Sequence, residues 1–413
     1  MIKKIIAFTL LSAPVLLNAQ GFQVNLQGQA QQGMAGAGTA LMQDNSAVFF
    51  NPGGMSFLKD NSISGGVTAT IAHGQYLDAA SSTISKTDNP ISTPFTGYAV
   101  FGCLDTTKYA SHFKFGMGVY TPFGSTAKWE DGWTGRFALT SLKLQSIFFQ
   151  PTVSWKINNK IGIGGGLVYG QGNVELKEDL PIYSNGTYGN ADLTGKAHGW
   201  GYNLGVYIKP TDKFSIGLTY RSQVNMNLNN GTATITVPQS VAAQFPSGPF
   251  TSSIPLPKVL TLGLAYQVNA KLALALDINY IGWKAYDTLA FNYKNNTPTF
   301  PDTKLPRDYK NTFAFRLGGQ YHITSKFTAR VGVALSLSPI KSGYVTPEVP
   351  DANKVNLTAG LGYKVCNRFR IDISYTFENL KRTDNNLALQ MNGTYKTYLS
   401  APGISLAYKF NRN

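Results

Sequence analysis

Beyond its first twenty residues the sequence has no uninterrupted apolar run of the roughly 20 residues that a transmembrane helix requires. It is also poor in charge, because only 14% of its 413 residues are Asp, Glu, Lys or Arg. The lack of long apolar runs excludes a helical membrane protein, and the scarcity of charge is unusual for a soluble surface. Two classes remain: a soluble exported protein and a membrane β-barrel.

Cysteine and histidine are scarce as well. Cys103 and Cys366 are too few for a disulfide framework, and the sequence leaves open whether they pair. The four histidines lie on separate segments without the spacing of metal ligands, so neither a metal nor another cofactor is expected. No serine lies in a nucleophile elbow, which disfavours an enzyme, although a hydrolase with scattered catalytic residues stays an alternative.

The first residues have the features of an export signal. Lys3 and Lys4 precede an apolar stretch, and the small-residue sequence Leu17-Asn18-Ala19 follows it. The pattern predicts a signal peptide over residues 1–19, cleaved between Ala19 and Gln20. The formal net charge of +15 suits anionic lipid headgroups or carboxylate-bearing substrates, and an exported chain is not expected to meet nucleic acid.

From residue 61 onward, apolar and polar side chains alternate with a period of two. In one segment Leu272, Leu274 and Leu276 alternate with Ala273 and Ala275. Successive side chains of a strand point to opposite faces, so each segment has one apolar and one polar side. The pattern predicts about fourteen strands, at residues 61–75, 94–104, 112–121, 141–157, 159–175, 199–209, 212–226, 258–268, 271–283, 311–323, 325–338, 352–365, 367–379 and 397–410.

The connections between these strands alternate in length. Every second one is only a few residues long, whereas the others are long loops at residues 176–198, 227–257, 284–310 and 380–396. Outer-membrane barrels have short periplasmic turns and long extracellular loops. The sequence therefore predicts an all-β protein, a transmembrane antiparallel β-barrel over residues 61–413 in the bacterial outer membrane, with both termini in the periplasm.

Residues 20–60 do not alternate and are rich in Gln, Gly and Ala. Asp44 or Asn45 is expected to cap one short helix that runs through Phe50 and ends at Asn51-Pro52-Gly53. Such a segment cannot form its own core, but it could occupy the lumen that about fourteen strands enclose. We call residues 20–60 the plug; a solvated periplasmic tail is the alternative.

Four segments resemble, in order, the FadL/TodX family of outer-membrane transporters for long-chain fatty acids and other hydrophobic compounds. They are GFQ with GMAGAGTALMQDNSAVFFNPGGMS (21–23 and 33–56), TPFGSTAKWEDGWTGRFALTSLKLQSIFFQPTVSWKI (121–157), LPKVLTLGLAYQVNAKLALALDINYIGWKAYDTL (256–289) and RVGVALSLSPIKSGYVTPEVPD (330–351). The first resembles the family's N-terminal hatch with its Asn-Pro-Ala element, although Gly53 stands at the third position here.

The resemblance implies a monomeric barrel of fourteen strands with the hatch inside it. A hydrophobic substrate would meet an apolar extracellular groove, enter a lumen pocket and leave sideways near a kinked third strand after the hatch rearranges. Long-chain fatty acids and monoaromatic hydrocarbons both fit such a path. A general diffusion porin, which would lack the hatch, is the other interpretation.

Gly116, Gly118 and Pro122 lie on the predicted third strand, and glycine and proline mark places where strands bend or lose hydrogen bonds. An ordinary strand rich in small residues would contain the same glycines. On resemblance, Asn51-Pro52-Gly53 would lie beside this gate. The hypothesis is that valine at both Gly116 and Gly118 suppresses uptake of labelled oleate while the barrel still folds.

A carboxylate substrate needs a cation in an apolar pocket. Arg136 in WTGRF is the first candidate, with Arg221, Arg316 and Arg330 as inward-facing alternatives. Each could instead pair with Asp277, Asp372 or Glu130 as a structural ion pair. The apolar groove residues are expected in the long loops, at Phe245, Phe250, Ile254 and Leu256.

Overall fold

The computed structural model describes residues 21–88, 91–102 and 112–410. The predicted signal peptide and Cys103 lie outside the described residues, so the structure does not test either of them. Cys366 is exposed and forms no disulfide with a described residue. No helix in the described ranges is long and apolar enough to cross a membrane.

The described chain contains three short α-helices, two short 3-10 helices and a single sheet of 22 strands. The α-helices are α1 (Gln29–Gln32), α2 (Ala47–Phe50) and α3 (Pro52–Met55), and the 3-10 helices are Ala242–Gln244 and Trp283–Ala285. The strands are β1 (Asn61–Thr68), β2 (Thr70–Asp78), β3 (Ile84–Lys86), β4 (Ile91–Ser92), β5 (Phe95–Gly102), β6 (Phe113–Tyr120), β7 (Gly124–Lys128), β8 (Ser141–Lys156), β9 (Ile161–Ser184), β10 (Thr187–Ile208), β11 (Phe214–Arg221), β12 (Val224–Thr236), β13 (Gly248–Leu256), β14 (Val259–Gln267), β15 (Leu272–Ile281), β16 (Thr288–Tyr293), β17 (Thr303–Pro306), β18 (Thr312–His322), β19 (Phe327–Ser336), β20 (Lys354–Lys364), β21 (Phe369–Asn386) and β22 (Met391–Phe410).

Fourteen of these strands close into an antiparallel ring. The ring closes where the first strand meets the last, with Asn61 opposite Phe410. Its order is β1, β5, β6, β8, β9, β10, β11, β14, β15, β18, β19, β20, β21 and β22. Each ring strand coincides with one predicted strand, so the prediction of a fourteen-stranded barrel is confirmed.

The period of two is visible in the exposure of the side chains. On β15, Leu274 is 42% exposed on the outer surface, whereas Ala273 and Ala275 are at most 2% exposed and face the lumen. The large apolar side chains lie on the outside and the small or polar ones inside, which is the reverse of their arrangement in a soluble protein. This arrangement suits a wall with lipid around it and a plug within it.

Two of the predicted extracellular loops are instead extensions of the wall. β9 continues to Ser184 and β10 begins at Thr187, so most of 176–198 is a hairpin whose turn has positive φ at Asn185 (49°) and Gly186 (82°). Likewise β21 and β22 extend through most of 380–396. Residues 227–257 and 284–310 also contain strands. Pairing satisfies the backbone N–H and C=O groups that an irregular loop would leave to water.

Candidate functional site

The described part of the plug, residues 21–60, packs into the barrel. The Asp44 carboxylate accepts the Ser46 N–H at 3.0 Å just before α2, and α2 ends at Phe50 as the sequence predicted. Asn51, which follows α2, is also the N-cap of α3, since its Oδ1 accepts the Gly53 N–H at 3.0 Å. The sequence pattern did not predict this second helix. Helix α1 was not predicted either, since Gln29–Gln32 has neither an N-cap hydrogen bond nor an apolar period.

Polar side chains on the inner wall donate to backbone carbonyls of the plug. Gln150 Nε2 lies 2.7 Å from the Val48 oxygen, and Asn203 Nδ2 lies 3.1 Å from the Phe49 oxygen. A backbone carbonyl that is buried without a partner costs free energy, so these donors make burial of the short helices tolerable. They come from β8 and β10, which lie far from the plug in sequence.

A chain of charges ties the plug to β21 and β19. Arg370 Nη2 lies 2.9 Å from Asp44 Oδ2, and Arg370 Nε lies 2.6 Å from Asp372 Oδ2. Asp372 also pairs with Arg330 at 2.9 Å, with both side chains at most 4% exposed. Burial raises the pKa of Asp44, but Arg370 and the hydrogen bonds from Ser46 and Gln31 outweigh it, so the pKa is lowered. Asp44 is therefore an anion held by the wall.

Two further side chains hold the loop between α1 and α2. Asp277 Oδ2 accepts the N–H groups of Gly38 and Thr39, each at 3.0 Å. Arg316 Nη1 donates to the Ala35 oxygen at 2.8 Å. Arg316 thus holds the plug and Arg330 pairs within the wall. The pair of Arg330 with Asp372 is of the structural kind that the sequence left open for these cations.

The element Asn51-Pro52-Gly53 lies in a slot of the inner wall between β9 and β10. A Cβ on Gly53 would lie 2.6 Å from the Gly205 oxygen and 2.7 Å from the Gly162 oxygen. Asn51 Nδ2 donates to the Val206 oxygen at 3.1 Å, which holds the element there. The expected position beside the third strand is therefore not where the structure places it.

The third ring strand breaks at Pro122. β6 pairs with β5 through Gly116 and Gly118 without interruption, and the chain resumes as β7, which pairs only with β8 among the described strands. Gly116 and Gly118 face the plug: a Cβ on Gly116 would lie 2.6 Å from Met55 Sδ. Thr121 N still donates to the Phe95 oxygen at 3.3 Å. The opening in the ladder is therefore at residues 122–127, which begin with a proline that lacks the N–H that pairing requires.

The first described residues of the plug run along this break. Val24 N donates to the Pro122 oxygen at 2.8 Å, and Gly124 N donates to the Phe22 oxygen at 3.1 Å. The Phe22 ring packs edge-on against Trp283 at 4.9 Å. Residues 21–27 therefore occupy the lumen beside the opening in the wall.

A cavity of about 950 Å³ lies on one side of this segment. It is lined by both edges of the opening, Ser92 to Phe95 on one and Gly124 to Ala127 on the other. Charged groups, among them Asp351 and Lys354, line another part of it. A ligand in this cavity would have a direct path to the break beside β7.

A second, narrow pocket of about 30 Å³ lies beyond Gln23 and Val24. Its walls are mostly apolar, and Arg221 is its one cation. The guanidinium lies 3.6 Å from the centre of the Phe49 ring, and its Nε has no hydrogen-bond partner among the described residues. Because Gln23 and Val24 line both spaces, moving this segment would join them.

The structure places the first-choice cation elsewhere. Arg136 lies outside both cavities, with Nε 3.9 Å from Asp179 Oδ2 and its guanidinium 4.6 Å from the Phe137 ring centre and 4.9 Å from that of Tyr188. Its ion-pair partner is Asp179, which is none of the three carboxylates that the sequence offered as structural partners. The backbone turn at Gly132–Leu139 sets this position, and the sequence carries no signal for it.

The predicted apolar groove residues separate into two groups. Phe250 and Leu256 are buried at 2–3% exposure, with Phe250 packed against Phe291 and Leu256 in the wall of the narrow pocket. Phe245 and Ile254 are partly exposed and pack against the core. Both residues lie on the β12–β13 hairpin, outside the ring of fourteen strands.

The family model for outer membrane protein transport proteins (OMPP1/FadL/TodX) matches residues 10–413. The chain belongs to the FadL/TodX family of outer-membrane transport proteins. Outer membrane protein P1 of Haemophilus influenzae is 24% identical, with 99% of each chain covered. The long-chain fatty acid transport protein of Escherichia coli K12 is 21% identical, with 86% of this chain and 87% of that one covered.

Solved structures of the FadL/TodX family share the fold. A FadL homologue of Pseudomonas aeruginosa superposes with a TM-score of 0.81 at 19% identity, over 95% of this chain and all of that one. The toluene transporter TodX of P. putida superposes with a TM-score of 0.73 at 18% identity, over 96% of this chain and all of that one. This FadL/TodX-family protein is thus an outer-membrane β-barrel of a transport family and not an enzyme.

Proposed function

We propose that this protein carries long-chain fatty acids passively across the outer membrane, through the lumen and out through the opening beside β7. The observation that supports this path is the cavity of about 950 Å³, which reaches both edges of the opening. A sealed barrel wall has its backbone groups paired, so a lateral exit into lipid needs such a break. Since β1 and β22 close the ring within one chain, we also propose a monomer.

Fatty acids are favoured over uncharged compounds because of Arg221. Of the four candidate arginines, Arg330 pairs with a carboxylate, Arg316 donates to the plug and Arg136 lies outside the cavities. Arg221 has mostly apolar walls around it, and its guanidinium lies against the Phe49 ring. A cation in apolar surroundings suits a ligand with one carboxylate and a long apolar tail.

The proposed sequence of events begins at the extracellular hairpins. The substrate would first contact apolar side chains there, including Phe245 and Ile254, and then reach the narrow pocket, whose wall contains Leu256. Displacement of residues 21–27 would join the narrow pocket to the larger cavity. The plug below stays anchored through Asp44 and Asp277, so only its first residues need to move.

Two other functions make different predictions. A monoaromatic hydrocarbon channel, like the toluene transporter among the structural neighbours, has no use for a cation in the pocket. A general diffusion porin needs an open lumen, whereas the plug fills this one with buried side chains such as Met34 and Met55. Planar-bilayer recording separates the porin, which would carry a steady open-pore current, from a plugged transporter, which would be nearly silent.

The test compares Arg221→Gln with Arg136→Gln in cells that depend on this protein for uptake. We expect Arg221→Gln to lower the apparent affinity for labelled oleate about tenfold or more, because a charge-assisted hydrogen bond contributes about 1.5–3 kcal/mol. Arg136→Gln should leave it unchanged, and neither variant should alter toluene entry. Equal loss of oleate and toluene, or loss only in the Arg136 variant, would contradict the proposal.

A further inference from the structure

A row of polar side chains crosses the outer surface of the barrel where β3, β2, β22 and β21 lie side by side. The register places Lys86 opposite Gln75, Gln75 opposite Lys396, and Lys396 opposite Lys381. Directly opposed residues have Cβ atoms about 5 Å apart, so the Cβ atoms of the three lysines lie along a line of roughly 15 Å. We call Lys86, Lys396 and Lys381 the lysine row; all three side chains are exposed.

The row faces the membrane side of the wall and not the lumen. On β22, the outward positions have even numbers: Tyr398, Ile404 and Leu406 are 44–47% exposed, whereas the odd-numbered Tyr395 is 2% exposed. Lys396 has the outward parity, and its ladder partners share its face because directly opposed residues point to the same side of a sheet.

The row lies just beyond the apolar band. Tyr408, which is partly exposed, and Tyr398 have the outward parity on β22, with exposed Ile404 and Leu406 between them. A strand tilted by about 40° climbs about 2.6 Å per residue, so this stretch spans about 26 Å, close to the band of about 25 Å that such barrels bury in lipid. Lys396 is the next outward residue, on the side with the long hairpins, and therefore lies at the headgroups of the outer leaflet.

No ammonium group of the row lies within 4.0 Å of a carboxylate or has a hydrogen-bond partner among the described residues. The Glu130 side chain approaches Lys86, but it accepts the backbone N–H, at 3.0 Å. Elsewhere on the same end of the wall, Lys177 lies 3.0 Å from Glu175 and 3.2 Å from Asp192. Like charges placed directly opposite each other, as in Lys381 and Lys396, destabilise a strand pair, so an external anion would be stabilising.

We propose that the lysine row binds the phosphate groups of a lipid headgroup in the outer leaflet. The row supplies three cations at headgroup depth, and the outward side chains beneath it, among them Tyr398 and Phe377, offer an apolar surface to the acyl chains of the same lipid. This pairing of charge above with apolar surface below suits an anionic lipid rather than free phosphate. The site lies on the outside of the wall, and none of the three lysines lines the cavity or the narrow pocket.

The test uses the full-length protein, purified in detergent and delipidated, with bisphosphorylated lipid A as the probe and its dephosphorylated form for comparison. Native mass spectrometry measures the fraction of protein that retains each lipid. The variant Lys86→Gln, Lys381→Gln, Lys396→Gln removes the row. Its matched control, Lys160→Gln, Lys271→Gln, Lys326→Gln, removes three exposed charges from the opposite end of the barrel.

We expect the wild type and the control to retain bisphosphorylated lipid A at least tenfold more than the row variant does. The dephosphorylated form should bind all three equally weakly. Heat-modifiable migration on gels verifies that each variant is a folded barrel. Equal retention by the row variant would overturn the proposal, and displacement of the lipid by an equal concentration of inorganic phosphate would overturn the assignment to a lipid.

Discussion

Asp44 of the plug and Arg370 of the wall form an ion pair with Nη2 and Oδ2 2.9 Å apart, although 326 positions separate them in the chain. Arg370 also holds Asp372, so one guanidinium joins the plug to the charge network of β21 and β19. Removing one member of a fully buried pair costs about 3–5 kcal/mol because it leaves an uncompensated charge. The cost is smaller here, because the two side chains are 24% and 15% exposed.

Arg370→Gln should therefore loosen the plug. Limited proteolysis of the detergent-solubilised protein is the measurement, with cleavage within residues 21–60 as the signal. We expect cleavage to be several-fold faster than in the wild type, because Asp44 and Asp372 lose their shared cation. Arg382→Gln, on the same strand but bound to Asp384 and the Ile340 oxygen, is the control and should behave as the wild type. Unchanged cleavage in Arg370→Gln would show that the pair does not hold the plug.

Gly53→Ala tests the slot between β9 and β10. The added methyl would meet the carbonyl oxygens of Gly162 and Gly205 at 2.7 Å and 2.6 Å, and backbone in a paired sheet cannot yield as a flexible side chain does. Overpacking of this kind costs about 1–3 kcal/mol. We expect open-pore current in planar bilayers to appear more often than in the wild type. Gly65→Ala, whose methyl would have only one atom within 4 Å, at 3.9 Å, should stay as silent as the wild type.

The double variant Gly116→Val, Gly118→Val tests the face of β6 that meets the plug. The new side chains would displace Val48 and Met55, whose atoms lie 2.6–3.1 Å from the positions that a Cβ would take at the two glycines. We expect oleate uptake to fall several-fold, because the displaced side chains move into the lumen beside the opening. Gly97→Val, next to β6 on the outward side of β5, should have no effect; undiminished uptake in the double variant would refute the hypothesis.

Asp351 makes the seating of the first plug residues depend on pH. Its Oδ2 accepts the Gly21 N–H at 3.0 Å, and burial raises its pKa to about 7, against the smaller opposing effects of Lys354, Gly21 and Ser338. Since the pKa is raised from its ordinary value of 3.8, the seated position of the first plug residues favours the protonated form of Asp351. This contribution to the stability of the seated position is fully present below about pH 4. The contribution is then lost as the pH rises to about 7, and the equilibrium constant for seating falls by up to about tenfold per pH unit.

Hydrogen exchange of the peptide over residues 21–32, expressed as protection factors, measures this effect. We expect protection to fall between about pH 4 and 7 and to level off above that range. Asp351→Asn removes the titrating group, so its protection should not vary with pH. A wild type whose protection is equally flat would rule out Asp351 as the cause.

The wall was predictable because its pattern is local. Alternation along segments such as Leu272–Ile281 follows from the opposite directions of successive strand side chains, and it locates each ring strand without knowledge of its neighbours. The short turns were predictable for the same reason, because each lies where the alternation of one strand ends and that of the next begins. Strand ends were less certain: residues 176–198 and 380–396 continue as paired strands, because pairing extends as far as a partner strand is available.

The site depended on contacts that no local pattern records. Nothing in the sequence around Arg136 or Arg221 indicates that, of the two, only Arg221 lines the pocket at Phe49. The plug was recognisable by its composition, whereas its seating depends on Gly162, Gly205, Asp277 and Arg370, which come from four different strands. The sequence by itself determined that fourteen amphipathic strands form a barrel, since each strand carries its own two faces. Only the tertiary structure decided where the wall opens and which cation lines the narrow pocket, because those features arise where residues distant in the chain meet.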